Sequence, residues 1–326
     1  MQKTKIKRRL PSFVRWIFWA LLVQFILVNI SAAFYAYKLT HFYTDPSLRT
    51  YKPSPNIFAK TWKLFTGPKL PRSIVREIPS FPFDTVKLKA KNGITIDAWY
   101  SKADSFSKGT VILFHGITAN KSSVLHEAYE FRYWHYNVML VDFRGHGNSE
   151  SNKTTIGIKE PEEVKLSYDY VISKGDKNIF LYGSSLGAVV VAKSIAEYGL
   201  PVSGVILEMP FLSLQTYMKG RARMVGFPPQ PFAFLTTLWV GIENGFNGFS
   251  HQTTRYVKKI DCPVLMQWGA YDSFVLRDET MKVYDAISSK NKKLVIYEQA
   301  AHQSFVQNDP LKWRTEVESF LNNAGK

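Results

Sequence analysis

Residues 16–37, WIFWALLVQFILVNISAAFYAY, form a long apolar run without a single charge. As a helix rising 1.5 Å per residue, it reaches across a hydrocarbon core of ~30 Å. No polar face recurs along it, so it does not read as a helix on the edge of a soluble core. Trp16, Trp19, Tyr35 and Tyr37 lie toward its ends, where a bilayer places aromatic residues. From residue 83 the pattern changes. Residues 86–89 and 94–99 alternate apolar and polar around Asn92-Gly93, which predicts a β-hairpin. Short continuous apolar runs follow at 111–114, 138–141, 179–182, 202–207, 264–268 and 294–297. Such runs suit strands buried on both faces of a parallel sheet. Segments of helical length separate them, at 122–134, 160–173, 186–198, 278–288 and 310–321. The alternation predicts an α/β fold with a mostly parallel eight-stranded sheet, flanking helices and right-handed crossovers.

Two stretches depart from this rhythm. Residues 45–82 contain seven prolines, which disfavour regular helix and predict an extended spacer between membrane and body. More than 50 residues separate the strands 202–207 and 264–268. A connection of that length predicts a functional insertion, at about 211–252, rich in aromatics and Met. It would lie at the carboxyl ends of the strands, where open α/β sheets bind ligands. The expected division is a basic terminus and anchor at 1–44, a spacer at 45–82 and a catalytic body at 83–326.

Charge sharpens the first of these regions. The chain has 326 residues and a net charge of +16. Residues 1–44 hold seven Lys and Arg and no acid, so nearly half of the excess is in the tail. Six of those cations precede the apolar run, which predicts a cytoplasmic N-terminus and a translocated body. A cleaved signal peptide, cut near Ser31-Ala32-Ala33, is the competing reading. The charge carries no nucleic-acid motif with it, so no nucleic-acid partner is expected. The remaining +9 suits an anionic surface or substrate. One cysteine, Cys262, excludes an internal disulfide framework and a Cys-based zinc cluster.

The candidate chemistry sits at strand ends. Gly183-Ser184-Ser185-Leu186-Gly187 fits G-x-S-x-G between a predicted strand and helix, which makes Ser185 the candidate nucleophile. Gly183 and Gly187 allow strand and helix to approach around a strained turn. A serine hydroxyl needs a base, and the base needs an orienting acid. The chain order Ser, acid, His selects His302, just past the last predicted strand, and Asp272, after the strand 264–268. His251 in the insertion is a poorer base, and Glu208 is a reserve acid. Backbone N–H groups of Ile117 and Leu186 are the candidate oxyanion donors. His115 and Gly116 are expected to support their loop. No metal and no cofactor are called for.

Together, HGITAN at 115–120, DFRGHGNS at 142–149, GSSLG at 183–187, GAYDSFV at 269–275 and AAH at 300–302 resemble the α/β-hydrolase superfamily. Their spacing is similar to the branch of serine aminopeptidase-like and monoglyceride-lipase-like hydrolases, which includes membrane-anchored relatives. The resemblance covers roughly residues 83–322. It implies an α/β-hydrolase fold with the insertion acting as a cap after strand six, and it gives His146 a loop-shaping role. The expected activity is serine hydrolysis of carboxylic esters, lipid acyl esters or thioesters among them, at a membrane. A serine aminopeptidase is the alternative, with Glu243 or Glu208 receiving the substrate amine. A non-catalytic binding protein on the same fold is a third reading.

Overall fold

The structure is a computed structural model and describes residues 11–49, 56–224 and 226–324. The basic cluster Lys3 to Arg9 lies outside the described residues. The apolar run is one helix, α1 (Ser12–Thr40), of 29 residues with a mean hydropathy of 2.1 in its most apolar window. Its first half exposes Trp16, Phe18, Leu21 and Phe25, while Ala32, Tyr35, Ala36 and Leu39 are buried. The same helix is therefore unpartnered at one end and part of the body at the other.

The proline-rich stretch differs from its expected extended form. A short parallel ladder joins β1 (Phe42–Tyr43) to β2 (Leu70–Pro71), and α2 (Ile57–Thr66) lies between them. Helix forms here because the window between Pro55 and Pro68 contains no proline. The Asn56 side chain caps it by accepting from Ala59 N at 2.8 Å, and Gly67 closes it at φ 78°. Tyr35 OH donates to Leu64 O at 2.7 Å and Ser31 Oγ to Phe65 O at 2.5 Å, which fastens α2 along α1.

The sheet has eight strands. They are β3 (Asp84–Lys89), β4 (Thr95–Ser101), β5 (Gly109–Phe114), β6 (Tyr136–Val141), β7 (Ile179–Ser184), β8 (Gly204–Glu208), β9 (Val264–Gly269) and β10 (Lys292–Tyr297). Their order is β10-β9-β8-β7-β5-β6-β4-β3, and only β4 runs against its neighbours. Strands β5 and β6 are buried along their whole length, as their unbroken apolar runs predict. Helices α3 (Leu125–Tyr133) and α4 (Pro161–Ser173) flank the first half of the sheet, and α5 (Leu186–Tyr198) follows β7. One apolar layer joins the sheet to α4, α5 and the insertion, through residues such as Val164, Val190 and Leu214. The other joins it to α3 and the C-terminal helix, through residues such as Phe131, Trp313 and Leu321.

The insertion after β8 forms α6 (Leu214–Met224) and α7 (Pro229–Asn244). A bridge between Ser213 and Gln252 closes its neck, and α8 (Thr253–Val257) leads back toward the sheet. Helix α7 lies along the second half of α1. The Tyr35 ring meets Phe232 edge-on at 5.1 Å and Phe227 at 6.0 Å. The cap therefore rests on α1 as well as on the sheet. The remaining helices, α9 (Arg277–Asp285), α10 (Phe305–Asn308) and α11 (Pro310–Ala324), complete the body.

Candidate active site

Ser185 stands between β7 and α5 with φ 53° and ψ −109°, a conformation costly for a residue with a side chain. Two glycines permit it. A β-carbon on Gly187 would overlap Phe114 O, and one on Gly183 would overlap the backbone of Gly187. The strand and helix approach too closely for any other residue.

His302 follows β10 and Asp272 follows β9. His302 Nδ1 lies 2.7 Å from Asp272 Oδ2, and His302 Nε2 lies 3.0 Å from Ser185 Oγ. A carboxylate only accepts, so Nδ1 carries the hydrogen and Nε2 is free to accept from the serine. Asp272 is buried, and its Oδ1 accepts from Phe274 N at 2.7 Å and Val275 N at 2.8 Å. Those two bonds fix the carboxylate and hence the imidazole plane. The three residues selected by chain order thus form one hydrogen-bonded line.

The loop 115–120 comes alongside. Gly116 places its Cα so that an added β-carbon would touch Ser185 Cβ at 3.5 Å. Ile117 lines the same cavity as Ser185, and Leu186 is the first residue of α5, where the N–H has no acceptor within the helix. His115 Nδ1 donates to Gly116 O at 2.6 Å while Nε2 accepts from Phe143 N at 3.1 Å. Burial holds the His115 imidazole down to about 4, so it is neutral and ties two loops together. His146 bonds to Arg144 O through Nδ1 and is likewise driven down to about 3 by burial. His251 bonds to Ile156 O and Tyr256 OH, away from the serine. All three are structural histidines.

The reserve acids also resolve. Ser185 N donates to the main-chain oxygen of Glu208 at 2.7 Å, but the Glu208 carboxyl turns under the sheet to Trp313 Nε1 at 2.8 Å. Burial and nearby Glu127 raise it to about 8. Glu243 lines a separate groove with Arg144 and Lys153. Burial raises it to about 7.

Glu127, Ser73 and Arg221 contribute without any sequence motif. Glu127 lines the floor of the cavity and accepts from Ser304 Oγ at 2.7 Å, fastening the loop that carries His302. Ser73 of the spacer donates to Ala119 O at 2.6 Å and accepts from Gly147 N at 3.1 Å. Asn120 Nδ2 donates to Ile74 O at 3.0 Å. Arg221 of the cap reaches the cavity edge. The cavity encloses about 460 Å³, and Ile117, Val124, Met209, Tyr217, Met224 and Phe274 supply its apolar walls. Among the described residues, no group of three or more His, Cys, Asp or Glu is placed to hold a metal.

Comparison with known proteins gives a consistent picture. The family model described as serine aminopeptidase, S33, matches residues 106–243. The uncharacterized protein YqkD of Bacillus subtilis is 24% identical over 69% of this chain and 74% of its own length. The lysophosphatidylserine lipase ABHD12 of Danio rerio is 24% identical over 60% of this chain and 51% of its own. Among solved structures, the Pyrococcus furiosus esterase Pf2001 superposes with a TM-score of 0.65 at 24% identity. That match covers 78% of this chain and 97% of the esterase.

Proposed function

The chain belongs to the α/β-hydrolase superfamily, and from that premise we propose a membrane-anchored serine hydrolase that cleaves carboxylic esters through an acyl-enzyme. The observation that carries this reading is the line from Asp272 through His302 to Ser185, at 2.7 and 3.0 Å. Ser185 Oγ attacks the acyl carbon while its proton passes to His302 Nε2. Asp272 holds the Nδ1–H tautomer and favours the imidazolium that forms. The Ile117 and Leu186 N–H groups receive the oxyanion. Collapse expels the alcohol, which takes the proton from Nε2. Water then attacks the acyl-serine with His302 as base, releasing the acid and restoring the serine.

The apolar cavity walls favour an acyl chain, and the esterase and lipase among the similar proteins point the same way. The peptidase alternative has less support. Glu243 lies outside the cavity of Ser185, and the Glu208 carboxyl lies beneath it in the core. Parallel assays on p-nitrophenyl acyl esters and aminoacyl anilides separate the two. Labelling by a fluorophosphonate tests the mechanism itself. Wild type should label and Ser185→Ala should not; an unlabelled wild type or a fully labelled variant overturns it.

The anchor is read as uncleaved. A cut near Ser31-Ala32-Ala33 would sever a helix just where Ser31 bonds to α2 and Ala32 is buried. The basic terminus favours a cytoplasmic start and a catalytic body on the translocated side. Because the second half of α1 is part of the body, the body would sit directly on the bilayer. Helix α2 then supplies a second contact: Ile57, Phe58, Trp62 and Leu64 are 58–82% exposed beside α1, with Lys60 and Lys63 among them.

A further inference from the structure

A second groove of about 450 Å³ adjoins the loop 115–120. Its lining brings together Arg72 and Arg76 from the segment after α2 and Arg221 from the cap, and it contains no acid. These segments are about 150 residues apart in sequence. Thr118 and Arg221 line both this groove and the cavity of Ser185, so the two lie side by side.

Among the described residues, no carboxylate pairs with any of the three guanidiniums. Arg72 spends one N–H on Ser149 O, and Asp142, the acid whose charge acts on it, is already bonded to Lys121. Arg144, by contrast, is matched: it meets Glu163 at 2.5 Å and Glu162 at 2.9 Å. Three like charges facing one groove repel each other, and an anion in the groove removes that cost. A guanidinium fork matches the oxygens of phosphate, and a tetrahedral phosphate has enough oxygens to serve more than one fork.

We propose that this groove is an anion subsite that takes the phosphate group of a phosphorylated acyl ester while the acyl chain follows the apolar walls beside Ser185. The proposal deepens the ester-hydrolase reading and rests on it for the reaction, though not for binding. The arginines stay charged throughout the working pH range, so the preference follows only the second ionisation of the phosphate, at pH ~6, and is level from about pH 7 to 9. Because the groove is open to water, the preference weakens as salt is added.

The test uses the full chain in a neutral detergent and two substrate pairs, each matched in acyl group. One pair is dodecanoylglycerol and its 3-phosphate; the other is the soluble butyrylglycerol and its 3-phosphate. Wild type should favour the phosphorylated member of both pairs. Arg76→Gln and Arg221→Gln should each reduce that preference by about tenfold, chiefly through KM. Arg76 is exposed, so its substitution leaves the core intact. A preference confined to the micellar pair means that the arginines meet a lipid surface, and it overturns the proposal. So does a preference that neither variant changes, or inhibition by inorganic phosphate with no preference among the esters. Should wild type hydrolyse none of the four, the ester-hydrolase reading fails by itself. The groove is then tested by binding dodecyl phosphate to the full chain: a roughly tenfold weaker Kd in Arg76→Gln upholds the subsite, and an equal Kd overturns it.

Discussion

Below Ser185 the loops at the strand ends are tied by buried charge, whereas above it the cap and α1 meet through aromatic rings. In the floor, Lys121 Nζ has no exposure and lies 2.6 Å from Asp97 and 2.5 Å from Asp142, over the Trp99 ring. Asp142 also accepts from Lys121 N and Asn148 N. A few residues on, Glu160 accepts from Thr154, Thr155 and Gly157, and Glu163 accepts from Arg144. Each of these contacts has a direction, and together they leave the loops one arrangement. In the roof, Tyr35, Phe227 and Phe232 contact one another at 5.1–6.0 Å, with interplanar angles from 62° to 87°. Ring contacts of this kind tolerate sliding. A floor that fixes reacting atoms and a roof that can shift over a substrate are different tasks, and the contacts differ accordingly.

The comparison breaks first at the floor. His302→Ala and Asp272→Asn should each lower kcat on a soluble ester on the order of 10⁴-fold, while the fold persists by circular dichroism. A loss below tenfold in either would remove the proposed roles. Next in size is Lys121→Met, which leaves Asp97 and Asp142 buried with one shared counter-ion gone. Stability should fall by roughly 3–5 kcal/mol in urea unfolding of the full chain. An unchanged midpoint would mean that the floor does not depend on its buried charge.

The same contrast decides what could be read from sequence. Gly183, Gly187, Ser185, Asp272 and His302 were legible because their demands are local: a strained turn, or a place just past a strand. His115 is turned from the base role by chain order and His251 by its place in the insertion, and their rings bond to Phe143, Ile156 and Tyr256 rather than to Ser185. Ser73 bonding to Ala119, and Arg221 meeting Arg72 and Arg76, were not legible. Contacts between segments 46 or more residues apart leave no period in the sequence. Helix α2 was hidden for another reason: the surrounding prolines dominated the pattern, and the proline-free window is only a few turns long. Glu127 had no signal, because a lone glutamate in a helix reads as a solvated residue until burial is known.

A smaller effect probes how the floor handles protons. The Glu208 carboxyl, buried and close to Glu127, is raised to about 8, whereas in the unfolded chain it titrates near 4.5. Between these values the folded state keeps a proton that the unfolded state has lost. Stability from this group is therefore complete below pH 4.5 and declines as pH rises toward 8. Glu208→Gln removes the titration and keeps an acceptor for Trp313. Relative to that variant, wild type should lose about 2 kcal/mol between pH 6 and pH 8 and little more above. Parallel stability curves would show that the carboxyl is ionised in the folded state.

The smallest effect concerns the roof. Because the second half of α1 packs into the body, the edge-on contact of Tyr35 with Phe232 should couple α1 and the cap energetically. A double-mutant cycle with Tyr35→Leu and Phe232→Leu isolates that contact, since the bond from Tyr35 OH to Leu64 O cancels between its arms. The expected coupling is about 0.5–1.5 kcal/mol, read from thermal unfolding of the full chain in detergent. Soluble-ester turnover should change less than turnover of a long-chain acylglycerol, because the reacting atoms are held from below and the acyl chain is covered from above. A coupling near zero would make α1 a tether beside the body, and the cap would then answer to the sheet alone. Equal losses on both substrates would show the roof to be as rigid as the floor, and the contrast between them would fall.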